Sequence, residues 1–163
     1  MRRLAEHGPC PVCGSHPGSM GVTFFQREDG AVVAEAVFRE GQQGPPGHAH
    51  GGMIAAVLDE AMGAAVWRAG YRAAALRVEV DYLRPVALHR PVHVEAWVGD
   101  VTGRAVRALA RLTLLDGTLA AAGYGIFVEA PHLFDTIYYR VEEEPSEAPP
   151  APAPGGARES RPR

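Results

Sequence analysis

Residues 52–69 read GMIAAVLDEAMGAAVWRA, and this stretch decides the fold. Ala, Met, Val and Leu dominate it, no proline interrupts it, and Gly70 stands where helices commonly stop. Its eighteen residues predict a helix of about 27 Å. Asp59, Glu60 and Arg68 are the only charged residues, so the helix is apolar on nearly every side. Such a helix has to be wrapped by other elements.

The flanking segments alternate as strands do. Gly21–Arg27 (GVTFFQR) and Ala31–Phe38 (AVVAEAVF) enclose Glu28-Asp29-Gly30, a hairpin signal. After the helix, Ala75–Leu83 (ALRVEVDYL) puts Leu76, Val78, Val80 and Tyr82 on one face and Arg77, Glu79 and Asp81 on the other. Val92–Val98, Ala105–Leu115 and Thr118–Val128 follow, separated by Thr102-Gly103-Arg104 and Asp116-Gly117, which predicts an antiparallel meander. The class is α+β: a six-stranded antiparallel sheet curled around a single long helix. Residues 1–19 are a loop-like lead-in rich in Gly, Pro, His and Cys, and residues 20–131 form the domain. Residues 132–163 are a C-terminal segment in which Glu142–Arg163, with six of the fourteen prolines and no large apolar residue, reads as a disordered tail.

Composition excludes several chemistries. The chain has 163 residues, 47% apolar and 21% charged, with a net charge of −3. It offers no broad cationic field for nucleic acid. No apolar run is long enough to span a membrane. The opening Met1-Arg2-Arg3 and the mixed stretch after it lack the apolar core of a secretion signal, so the expected location is cytoplasmic, with reduced thiols. There is no lysine, hence no Schiff base and no P-loop. The serines are Ser15, Ser19, Ser146 and Ser160, all outside the segments that read as folded, so a Ser-His-Asp hydrolase has no nucleophile.

Three places could carry chemistry. His50-Gly51-Gly52 opens the helix, where amides are unsatisfied and the dipole is positive. Glycines let a second molecule approach that backbone, which suits a carbonyl oxygen gaining negative charge; a plain Gly-rich entry capped by His50 is the structural alternative. Asp59, with Glu60 beside it, sits among Ala55, Ala56, Met62 and Gly63. A carboxylate in such surroundings is a candidate base or nucleophile, or else a buried acid paired with an arginine or a backbone donor. Gly52 and Asp59 lie on nearly the same face, about 10.5 Å apart along the axis. One helix therefore cannot bring both to one carbonyl, whereas two helices antiparallel across a twofold axis can. That predicts a homodimer with two shared sites. The third place is Cys10-Pro-Val-Cys13-Gly, with His7 and His16 at spacings of three. A structural turn with free thiols is its leading reading; a zinc knuckle completed by His7 and His16, or by a partner, is the alternative. His48 lies in the loop before the helix, Arg84 and Arg90 border a Pro-rich turn where they could reach a phosphate, and His89, His93 and His132 are taken as surface or structural.

HGGMIAAVLDEAMG (50–63), VEVDYLRPV (78–86), the meander, and the opening CPVCG followed by HPGSMGV resemble the hotdog-fold thioesterase superfamily, phenylacetate-degradation (PaaI) type, over Cys10–Glu129. The resemblance implies an acyl-CoA thioesterase, a homodimer or dimer of dimers, with no cofactor beyond the coenzyme A of its substrate. It implies that the Gly51 amide binds the thioester carbonyl, with Gly52 and His50 assisting, and that Asp59 of the facing subunit activates water or attacks. His48, Glu60 and Arg84 are then the substrate-binding candidates. Some relatives carry Asn where this chain has Gly44, and Ser where it has Ala75, so two polar helpers are missing. The rival reading is a non-catalytic hotdog acyl-ligand binder or interaction protein; a dehydratase, which wants a His–acid pair, and a zinc-dependent adaptor built on CPVCG are weaker rivals.

Overall fold

The computed structural model describes residues 1–134. Its elements are β1 (Arg2–Arg3), β2 (Phe24–Gln26), β3 (Val32–Val37), α1 (Gly51–Arg68), β4 (Ala73–Tyr82), β5 (Pro91–Thr102), β6 (Ala105–Leu114) and β7 (Leu119–Glu129), with 3-10 turns at Glu40–Gln42 and Pro131–Phe134. The strands form one antiparallel sheet in the order β1-β2-β3-β5-β6-β7-β4. The single long helix on an antiparallel sheet is the expected α+β arrangement, and β5-β6-β7 is the expected meander. The sheet has seven strands instead of six. The added one, β1, is two residues long and pairs with Phe25 and Gln26, too short to leave an alternation in the sequence.

One face of α1 closes the core. Ile54, Val57, Leu58, Ala61, Met62, Ala65 and Val66 are buried against the sheet, with Val92, Val94, Val106 and Leu112 beneath. Trp67 fixes the far end of the helix, donating its indole N–H to Ala73 O at 3.2 Å and meeting Phe134 edge-on at 4.4 Å. The outer sheet face is solvated and charged, as expected, with Glu95 bridging Arg27 and Arg111 at 2.7 Å each.

Two places depart from the sequence pattern. On β4 the strict alternation breaks at a bulge between Ala75 and Arg77. Leu76 is consequently 71% exposed instead of facing the core, and Tyr82 is 53% exposed. β4 is also the last strand of the sheet, so its outer edge has no neighbour among the described residues. The second departure is the lead-in, read as loop-like and outside the folded segments: apart from β1 it is irregular, yet it packs on the domain. Cys10, Val12, Met20 and Val22 are buried in the core. Met20 and Val22 donate backbone hydrogen bonds to Pro11 and Val12 at 2.8 and 2.9 Å. Ser15 and Ser19 are thus in folded structure: the exposed Ser15 hydroxyl donates to Glu6 at 3.0 Å, and Ser19 Oγ accepts from the Gly21 amide at 3.1 Å. The tail Glu142–Arg163 lies outside the described residues.

Candidate active site

The chain enters α1 through a tight loop. Gln43 bridges Ala49, the Gly44 amide donates to His48 O at 3.0 Å, and the His50 amide donates to Gln42 O at 2.7 Å. Gly44 is held so close that a Cβ there would stand 2.8 Å from His50 Cα. An asparagine in its place would force the loop apart, which is a physical reason for one missing helper.

His50 is the N-cap. Its Nδ1 accepts from the Gly52 amide at 2.9 Å, and its carbonyl receives Met53 and Ile54. The neutral ring then carries its proton on Nε2. Gly52, expected to help polarise a carbonyl, thus has its amide committed to His50. The Gly51 amide has no acceptor among the described residues, so it is the one left pointing out of the helix start.

Tyr82, at the end of β4, joins the site although the strand alternation gives it no role there. Its hydroxyl donates to Gly51 O at 2.8 Å, and a Cβ on Gly51 would come within 3.3 Å of the phenol ring. The only signal in the sequence is YLRP following the helix at a fixed remove; no periodicity links residue 82 to residue 51. An open groove beside this contact is lined by His48, Gly51, Ile54, Tyr82 and Arg84, among others. Three expected site residues therefore meet: Gly51, His48 and Arg84. The Arg84 guanidinium is steadied by Leu83 O at 2.7 Å.

Asp59 lies two turns further along. Its Oδ1 is buried and has no hydrogen-bond partner among the described residues. Burial first, then the Glu60 charge, hold its carboxyl above the ordinary carboxylate range. Among the described residues no arginine or backbone donor meets that oxygen, so the alternative of a paired acid does not hold there. Gly52, Ala55, Ala56, Asp59 and Gly63 form a small-residue stripe that the sheet does not cover completely.

Glu60, expected beside the substrate, faces the other way. Its carboxylate contacts His7 Nε2, Cys13 Sγ at 3.4 Å and Cys10 Sγ at 3.5 Å. Both cysteines are free thiols, and burial, then the Glu60 charge, push Cys13 well up, so it is no reactive thiolate as it stands. His16, the other expected ligand, bonds Cys10 O at 3.1 Å through Nε2 and stays out of the cluster. Only the fold joins residues 7–13 to residue 60. His89, which has no acidic neighbour in the sequence, finds Glu40 at 2.8 Å.

Residues 46–121 match the family described as Thioesterase superfamily. A crystal structure of a thioesterase superfamily protein superposes with a TM-score of 0.66 at 29% identity, covering 68% of this chain and 57% of that one. The chain thus spans little more than half the length of that relative. A mutant of the phenylacetic acid degradation protein PaaI from Thermus thermophilus gives a TM-score of 0.62 at 25% identity, covering 68% of this chain and 95% of that one. A hypothetical thioesterase protein with coenzyme A from Streptococcus pneumoniae gives 0.62 at 18% identity, covering 66% and 84%, and shares the fold. No curated protein matches the sequence. The chain therefore carries a thioesterase-superfamily segment in a hotdog fold. Its likeness to the PaaI type, carried in the sequence by HGGMIAAVLDEAMG, holds in structure as well.

Proposed function

We propose that the protein is an acyl-CoA thioesterase built as a homodimer with shared sites. The Gly51 amide, at the positive end of α1, polarises the thioester carbonyl. Asp59 of the second copy takes a proton from the attacking water, whose oxygen adds to the carbonyl carbon as the carbon–sulfur bond breaks and the thiol leaves with that proton; in the other route Asp59 itself adds, the thiolate leaves, and water then hydrolyses the mixed anhydride. His50 holds the helix start, Tyr82 holds Gly51, and the groove past His48 and Arg84 receives part of the substrate. No step in this account needs a resident cofactor.

One observation carries the reading: a buried carboxylate oxygen without a partner stands about two turns along the helix from an amide without an acceptor, both among the described residues. At about 12 Å along the axis the Gly51 amide and Asp59 cannot serve one carbonyl, while two antiparallel helices bring each to the other. The small-residue stripe around Asp59 lets such helices approach. The unpaired outer edge of β4, with exposed Leu76 and Tyr82, supports continuation of the sheet into a second copy.

A panel of aliphatic and aromatic acyl-CoA substrates, run with the wild type and with Asp59→Ala, tests this. The expected result is hydrolysis by the wild type, its loss in the variant, and an unchanged dimer. Full activity in Asp59→Ala removes the acid from the mechanism. The rival reading, an acyl-ligand binder without turnover, draws on the crowding at Gly44, which leaves no room for a polar helper. Acyl-CoA binding without any turnover by the wild type favours that rival.

A further inference from the structure

The four donors His7 Nε2, Cys10 Sγ, Cys13 Sγ and one oxygen of Glu60 all lie within 4.8 Å of one another, and they come from the lead-in and the middle of α1. We infer that they form a structural zinc site that staples the lead-in to the helix. Two thiolates, an imidazole and a carboxylate are a donor set suited to zinc, and four protein donors close the shell, as structural sites require. Around a tetrahedral zinc, donor atoms stand about 3.3–3.8 Å apart. Cys13 Sγ stands 3.4 Å from Glu60 Oε1, inside that range, and Cys10 Sγ stands 3.5 Å from the other carboxylate oxygen, Oε2.

The surroundings are built for thiolates. The amides of Val12 and Cys13 point at Cys10 Sγ, at 3.3 and 3.4 Å. That is how a knuckle stabilises a metal-bound sulfur. The turn is fixed from outside the donor set: His16 Nε2 meets Cys10 O at 3.1 Å, and Gly14 admits no side chain, because a Cβ would stand 2.6 Å from Cys10 O. With neutral His7, the two thiolates and the carboxylate carry three negative charges, which a divalent cation offsets to one. His7, Cys13 and Glu60 also line a cavity between the lead-in and α1, an entry path for the ion. The site lies away from the Gly51 amide, while its ligand Glu60 is the sequence neighbour of Asp59.

The test is metal uptake by the full chain, stripped with a chelator and kept reduced. Cobalt(II) should give thiolate-to-metal charge-transfer bands and the strong visible absorption of a tetrahedral site, saturating at one ion per chain. One equivalent of zinc should bleach both. Cys13→Ser, which leaves only the Cys10 thiolate, should clearly weaken the charge-transfer bands. Glu60→Gln should keep some of them while binding at least about tenfold more weakly, the scale known for changes even outside the ligand shell. Zinc should raise the melting temperature of the stripped wild type by roughly 5 °C or more. Asp59→Asn should take up cobalt like the wild type, whatever its activity. A wild type that shows only the pale spectrum of octahedral cobalt, or none, overturns the inference, as does an unchanged spectrum in Cys13→Ser. Because the wild-type spectrum decides on its own, a variant that fails to fold leaves the test intact.

Discussion

At the residue level, the helix start and the acid differ in what a substitution can reveal. Asp59→Asn removes the base while keeping shape and half the polarity. It should lower kcat by at least about 100-fold, the usual contribution of a positioned base. It should not lower Tm, because the native state no longer holds a half-buried carboxylate with one oxygen out of contact with any donor. Thermal melts and acyl-CoA kinetics on the same preparation check both halves. Gly51→Ala improves helix propensity, yet its Cβ would press on the Tyr82 ring at 3.3 Å. Activity should therefore fall by about tenfold or more with no loss of Tm, a split that simple unfolding cannot imitate. Tyr82→Phe deletes the bond to Gly51 O and should lower kcat/KM by roughly 3–10-fold, the worth of one hydrogen bond. Gly51, His50 and Asp59 are legible in the sequence because a helix start and an acid in an apolar helix are local patterns. Tyr82 and the His7–Glu60 contact are not, since each joins residues that only the folded sheet and lead-in bring together.

At the level of elements, periodicity places the helix and most strands within a few residues, and the two Asp-Gly turns mark the hairpins. Those turns make a prediction of their own. Asp29 accepts from Arg27 and from the Ala31 amide, and Asp116 accepts from the Thr118 amide. The Arg27 contact first at Asp29, and the Thr118 amide first at Asp116, hold both carboxyls below their ordinary range. Their folded values are depressed, so their contribution is present above the unfolded carboxylate pKa and is lost as pH falls through the folded one. Stability measured by denaturant should decline below about pH 4, and Asp116→Asn should flatten part of that decline. An equal slope in the variant removes the turn from the explanation. What periodicity misjudges is β4. Its alternation holds at Val78 and Val80, which pack against the core, but Leu76 at the bulge is turned out, and no residue in the strand announces a bulge.

For the whole molecule, the helix explains the assembly. Apolar on nearly all sides, it is covered by the sheet on one face and by the lead-in on another, leaving the Gly52–Asp59–Gly63 stripe for a second copy. Ala55→Glu places a charge in the middle of that stripe. In sedimentation or light scattering the wild type should run as a dimer or larger, and the variant should shift to monomer with hydrolysis lost. A wild type that is monomeric and active would require a site within one chain, which the spacing of Gly51 and Asp59 forbids.

The lead-in meets the helix across a separation of 53 residues between His7 and Glu60, and this has a bearing on how the chain is born. At typical ribosomal speeds of about 5–20 residues per second, residues 7–13 wait roughly 3–10 s for their partner to be made. The helix in turn emerges before any of β4 to β7 exists to shelter it. During synthesis the greasiest segment of the protein is thus made before most of its cover, and the nascent chain is where chaperones should be found bound.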